Sequence, residues 1–340
     1  GDVSIPADIV EEVARLYGYQ NLAFRPPVIS LTAPIVQPNV RLERRLKEAL
    51  ALRHGMREVW SYPWVADRYL EASGLEPPTL VLAHPPSPDA ARLQTSLVPQ
   101  MLRMISENLR FFSSFRLFEL NRIFLDTDWR RGPGGEDSLP EQAKHLVGAM
   151  VGADPATLFL EAKGVIEGLP RAVQMAALEL GPGRAPWADP GGCLAILHQG
   201  APIGALGVLS AKTRDRAGIR ISHAALFELD VSALSPHRSR ENRIEALPEY
   251  PEIDYDLSVL VDRTISWARV QELLADIDPL IRRIVFLDEY TGPQVGEGCK
   301  SITLRMTLGS SERTLVREEV DAVAERVVQR IRSELGATVR

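Results

Sequence analysis

The pattern from Asp254 to the C-terminus leaves few folds open. DYDLSVLVD (254–262) alternates polar and apolar residues, which turns one face of a strand toward a core. ISWARVQELLADI (265–277) switches to helical spacing. LIRRIVFLDEY (280–290) reads as a second strand, GPQVGEG reverses the chain, and CKSITLRMTLG (299–309) supplies a third. Thr314 stands as the N-cap of a long helix that carries Val316, Val320, Val323, Val327 and Ile331 on one face. Gly336 stops that helix and ATVR adds a short strand. The order β-α-β-β-α-β is that of a ferredoxin-like fold.

The first 242 residues mix helices with strands. Helical spacing spans 4–18, with Ser4 as cap and Pro6 in the first turn, then 39–54 and 98–112. Residues 22–38, rich in Pro and β-branched side chains, read as an extended linker. Strands are expected at 57–65, 115–125, 145–152, 193–198, 203–209 and 227–234, with a turn at 199–202 and a helix at about 157–169. Residues 126–140 read as a loop. This interleaving predicts an α+β unit built on a mostly antiparallel sheet. The polar run SPHRSREN (235–242) marks the boundary, which divides the chain into 1–38, 39–238 and 243–340.

Composition narrows the function. Cys193 and Cys299 lie too far apart for a disulfide framework or a zinc site, so a reducing cytoplasm is the expected setting. No apolar run approaches the roughly 18 residues that span a bilayer. GDVSIPADIVEE has no basic and apolar leader pattern, and reads as a chain already in mid-fold. Net charge is −6, and Pro248–Arg340 holds 12 Lys plus Arg against 17 Asp plus Glu, so any contact with RNA must come from a local patch.

Self-contained chemistry is hard to place. There is no phosphate loop of the G-x-x-x-x-G-K-[ST] type. GVLSAK is not the G-x-S-x-G of a nucleophile elbow. The six histidines contain no H-x-x-x-H pair. One acidic group stands out: Asp8, Glu11 and Glu12 share a helix face at i, i+3 and i+4. Such a group either stabilises the helix dipole or supplies oxygen ligands to a hard cation such as Mg²⁺, and the spacing leaves both open.

LPEYPEIDYDLSVLVD, FLDEYTG, GEGCKSITLRMTL, ERTLVREEVDAV and the ending GATVR resemble the ferredoxin-fold anticodon-binding domain of the bacterial phenylalanyl-tRNA synthetase β subunit. DIVEEVARLYGYQN resembles the end of an earlier domain of the same subunit. HPPS (84–87), LQTSLVPQML (93–102) and FRLFELNRIF (115–124) resemble its class II synthetase-like module. The segments follow family order and together cover most of the chain. Some positions depart from the pattern. Gln94 stands for an Arg, Asp189-Pro190-Gly191-Gly192-Cys193 lacks a His and an Arg, and GVLSA (207–211) lacks an acid, a His and a Pro.

The resemblance implies a catalytically degenerate module followed by an anticodon-binding tail. Phe115-Arg116-Leu117-Phe118-Glu119 spaces Arg and Glu as R-x-x-E where catalytic relatives have R-x-E, and that shift puts them on opposite strand faces. No catalytic residue is therefore assigned. Helix 39–54 and strand 57–65 resemble the dimer-forming motif of class II enzymes. The implied partners are an α subunit, which holds the ATP site within an α2β2 heterotetramer, and tRNA(Phe). The resemblance further implies a shared Mg²⁺ site, matched by Asp2, Asp8, Glu11 and Glu12, and RNA contacts through Arg283, Tyr290, Lys300 and Arg305. The alternative is a non-enzymatic RNA- or protein-binding relative of that subunit, suggested by the acidic tail and the lost His and Arg positions.

Overall fold

The computed structural model describes residues 2–32, 35, 37–125, 140–234 and 247–339. They fall into two compact units, Gly1–Asn242 and Arg243–Arg340. The expected boundary at 235–242, and all but the last residue of the expected loop 126–140, lie outside the described residues.

The first unit begins with α1 (Pro6–Tyr17), which buries none of its side chains. Ser4 does not cap it. The Asp8 carboxylate reaches back instead and accepts the Ser4 and Ile5 N–H groups at 2.7 and 2.9 Å. Next, α2 (Pro38–Glu48) runs into a π-helical turn, Ala49–Arg53, so the predicted helix 39–54 ends in a widened coil. The predicted strand 57–65 divides into β1 (Arg57–Glu58) and β2 (Trp64–Val65). Pro63 between them has no N–H to carry a ladder forward.

Then follow α3 (Asp67–Ser73), β3 (Arg92–Leu93), α4 (Val98–Asn108), β4 (Phe115–Phe124), β5 (Gln142–Gly152), α5 (Pro155–Val173), β6 (Leu178–Pro182), β7 (Ala188–His198), β8 (Ala201–Leu209), α6 (Ala211–Arg216) and β9 (His223–Asp230). Seven strands form one sheet in the order β1-β4-β5-β9-β8-β7-β6. β1 and β4 are parallel and every other neighbouring pair is antiparallel. The turn from β7 to β8 uses Gln199 and Gly200, both at positive φ (52° and 77°), the backbone of a tight two-residue hairpin.

Alternation along the strands sorts their side chains between two apolar layers. Phe118, Leu120, Leu146, Met150, Phe227 and Leu229 face α2, the π-helical turn after it and α5, where Leu46, Leu50, Ala162, Ile166 and Leu169 meet them. Leu117, Val147, Ala149, Val151 and Leu226 face the other way, against Tyr69 and Ala72 of α3 and Met101, Leu102 and Ile105 of α4. Both faces of the central strands are thus covered, which explains their nearly continuous apolar sequences.

The second unit has β10 (Ile253–Asp262), α7 (Trp267–Leu274), β11 (Ile281–Tyr290), β12 (Cys299–Leu308), α8 (Arg317–Leu335) and β13 (Thr338–Val339). The sheet order β11-β12-β10-β13, antiparallel at every pairing, is the ferredoxin-like arrangement expected from sequence. Leu257, Val259, Val261, Ile302, Leu304 and Met306 meet Val270 and Leu274 of α7 and Ala324, Val327 and Ile331 of α8. The expected cap Thr314 is replaced: Val316 is the N-cap residue, and Glu319 accepts its N–H at 3.1 Å. Gly336, at φ +62°, closes the helix in the left-handed region.

Candidate subunit and nucleic-acid interfaces

The two synthetase-like residues of β4 do not share a surface. Arg116 and Glu119 point to opposite faces of β4. Arg116 pairs with Glu161 of α5, its Nε 2.9 Å from Oε2. Glu119 is 1% exposed, on the α3–α4 side. Its Oε1 accepts the Ser61 N–H at 2.8 Å, the Ser61 hydroxyl at 2.7 Å and the Asn121 amide at 2.8 Å. Across Val147 on the same sheet row, Glu228 accepts the Leu97 N–H and the Ser96 hydroxyl, each at 2.7 Å, and lies 3.1 Å from the His145 ring. These carboxylates tie down the segments that enter α3 and α4.

The departed positions are structural here. Gln94 is buried and donates to the Arg122 carbonyl at 2.8 Å. Ser210 caps α6 by accepting the Thr213 N–H. Cys193 is buried, and burial pushes its thiol pKa up, away from reactivity.

The region after α2 presents exposed aromatics. Trp60 and Tyr62 are largely exposed, as are Val40 and Leu52. Tyr62 and Trp64 stack with ring centroids 4.6 Å apart, and the Lys47 ammonium sits 4.6 Å over the Trp60 ring. Large exposed rings locked by stacking and a cation are the composition of an interface core. Sequence reasoning singled out the segment 57–65 but not these side chains. Aromatics at 60, 62 and 64 were the available signal, since alternation in an extended chain puts all three on one side.

The acidic group on α1 does not form a cation site by itself. Asp8 is engaged as the helix cap, and the same N–H donors hold its pKa below the ordinary value. Glu12 pairs with Arg15, and Asp2, Glu11 and Glu12 are exposed. Among the described residues no three His, Cys, Asp or Glu side chains converge as a metal ion requires.

The four RNA-contact candidates of the tail divide. Register puts Arg283, Tyr290 and Arg305 on the open face of the sheet, opposite Thr307, Ser301 and Asp256. Arg305 is already held, with Nε 2.6 Å from Asp256 Oδ1, Nη2 2.8 Å from Oδ2, and Asp254 nearby at 3.7 Å. Lys300 lies opposite Val261 on the helix-covered face, buried, with Nζ 3.0 Å from Glu289. It cannot share a surface with the other three, because it stands an odd number of residues from Arg305 on one strand. Arg283 is exposed and pairs with no described residue. The ring of Tyr290, on the same edge strand, lies over Gly292 and remains partly exposed.

Two family models match the chain. The model of the phenylalanyl-tRNA synthetase beta chain CLM domain matches residues 24–231, well over half of the chain. The chain belongs to the phenylalanyl-tRNA synthetase β-chain family. The model of the ferredoxin-fold anticodon-binding domain matches residues 248–340, which span the β10–β13 unit. Relatives of this β-chain family member include the phenylalanine–tRNA ligase beta subunits of Listeria innocua, 30% identical over 361 aligned positions, and of Dehalococcoides mccartyi, 28% identical over 351. Both alignments take in 100% of this chain and 42% of the relative, so the chain spans less than half the length of the curated relatives it matches. A solved pyrrolysyl-tRNA synthetase from Desulfitobacterium hafniense aligns at 12% identity and a TM-score of 0.46, over 58% of this chain and 67% of that one, a likeness too loose to bear on the argument. No helix among the described residues is long and apolar enough to cross a membrane.

Proposed function

We propose that this chain acts within the β subunit of a phenylalanine–tRNA ligase, in the cytoplasm, in a complex that uses ATP to charge tRNA(Phe) with phenylalanine. The observation that carries this reading is the succession, on one chain and in family order, of the β-chain CLM domain and the anticodon-binding domain. The chain supplies scaffold and binding surfaces, and the α subunit supplies the adenylate site. Glu119 and Glu228 support that division, because both carboxylates are engaged in holding backbone N–H and hydroxyl groups of their own chain.

The α subunit is proposed to dock on α2 and the exposed Trp60 and Tyr62, in an α2β2 assembly. The tail is proposed to meet the anticodon along the β11 edge, where Arg283 is free to take a phosphate and Tyr290 offers a ring to an unpaired base. Magnesium and ATP belong to this proposal as requirements of the complex: the α subunit would hold ATP, and Asp2, Asp8, Glu11 and Glu12 would give this chain's part of a magnesium site shared with that subunit.

The test is a charging assay with the α subunit and the longest natural form of this chain, with and without residues 243–340. Charging that disappears with the tail, and returns partly at high tRNA concentration, supports the division of labour. Charging that is indifferent to the tail removes its anticodon role.

A further inference from the structure

A groove of about 680 Å³ opens between the C-terminal end of α4 and the turn that leads from α6 into β9. One wall is Arg110, Phe111 and Phe112, and the other is Arg220 and Ile221. Phe111 is 79% exposed, Phe112 52% and Ile221 95%. The two rings sit 6.5 Å apart at 56°, so they present separate faces to solvent instead of stacking on each other. The turn that displays them is braced, with the Phe111 and Phe112 N–H groups both donating to the Asn108 carbonyl at 2.9 and 3.0 Å. The opposite turn is anchored by Arg214, which donates to the Ser222 carbonyl at 3.2 Å.

Charge decides what fits. The chain as a whole carries −6, yet no carboxylate lines this groove. The guanidinium groups of Arg110 and Arg220 make no ion pair or hydrogen bond with another described residue, whereas neighbouring Arg103 and Arg116 are paired with Glu107 and Glu161. Serine side chains add hydrogen-bonding groups along the same surface. Free guanidinium groups beside exposed ring faces match a phosphate backbone whose unpaired bases can stack. An acidic peptide would use the arginines and leave the rings idle.

We propose that this groove binds single-stranded RNA, as a contact separate from the anticodon-binding unit and carried by the first unit. The proposal rests on the tRNA-charging reading only for the identity of the strand, that is, an unpaired stretch of tRNA. The site itself rests on the groove.

The test uses the full chain and a fluorescein-labelled unstructured RNA of about ten nucleotides, within the usual site size of 4–16. Binding is followed by anisotropy at several salt concentrations, in an Arg283→Ala background that weakens the tail. Phe111→Ala is expected to weaken binding about tenfold with the salt slope unchanged. Arg110→Ala and Arg220→Ala are each expected to lower the slope of log K against log salt by about 0.7. Because these side chains are exposed, thermal melts of the variants should match the parent. Binding that ignores all three substitutions, or no binding at low salt, overturns the proposal. So does competition by polyglutamate combined with indifference to Phe111→Ala, which would assign the groove to an acidic peptide. RNA binding that depends on the groove in a chain that supports no charging would leave this proposal standing and remove the tRNA-ligase reading.

Discussion

Arg116 and Glu119 stand three positions apart on β4 and turn to opposite faces of the sheet, one to an ion pair with α5 and the other to a buried hydrogen-bonded anchor. The two should respond differently to truncation. Glu119→Ala strands three half-buried donors, and should cost about 2–4 kcal/mol. Arg116→Ala removes a partly exposed pair and should cost about 1 kcal/mol or less. Urea denaturation of both variants checks this, and equal losses would contradict the assignment.

Phe118, Gly148 and Phe227 form one row across β4, β5 and β9, and a Cβ on Gly148 would overlap the Phe227 ring. Gly148→Ala should therefore destabilise by about 2–3 kcal/mol, as overpacking of a dense core does. Gly164 in α5 is exposed, with nothing near its Cβ position. Gly164→Ala should stabilise by about 0.5–1 kcal/mol through helix propensity and a less flexible unfolded chain. Thermal melts that shifted in the same direction for both would contradict this packing.

The second unit should lose stability in acid. Arg313 and the Val316 N–H hold the Glu319 carboxyl down at about 2, and Arg305 holds Asp256 below its ordinary value. A carboxyl with a depressed folded pKa stabilises fully above its unfolded value, near 4.5 for Glu319, and that contribution fades as pH falls toward about 2. Melting of the 243–340 unit should thus be flat from pH 7 to 5 and fall below that. Glu319→Gln should flatten the acid limb. A limb unchanged by the substitution would place the titration elsewhere.

The tail was legible from sequence because each of its elements carries a clean period and a stop signal, down to Gly336. The first unit was harder for a physical reason. Its central strands are buried on both faces, so Leu117 and Phe118 enter different cores and no alternation marks them. Four short elements escaped notice: α3, β3, α6 and β6, whose lengths of two to seven residues give too few turns or alternations to register. Capping misled twice. Ser4 and Thr314 look like caps, but Asp8 and Glu319 reach back from inside their helices to do that work.

The candidate site was legible in part. Opposite faces for Arg116 and Glu119 followed from strand geometry alone. The same geometry, applied to 300 and 305, separates Lys300 from Arg305. The pairing of Arg305 with Asp256 depends on the register of β10 against β12, which no local pattern reveals. The groove at Phe111 and Arg220 joins segments more than a hundred residues apart, and only the tertiary fold brings them together.

The central claim is that this chain works by joining a phenylalanyl-tRNA synthetase α subunit. Sedimentation of the longest natural form of the chain, mixed at micromolar concentration with the α subunit of the same source, tests it directly. The account predicts a stable complex of two copies of each, weakened at least tenfold by Trp60→Asp. Components that sediment separately, in the wild type as in the variant, would contradict it.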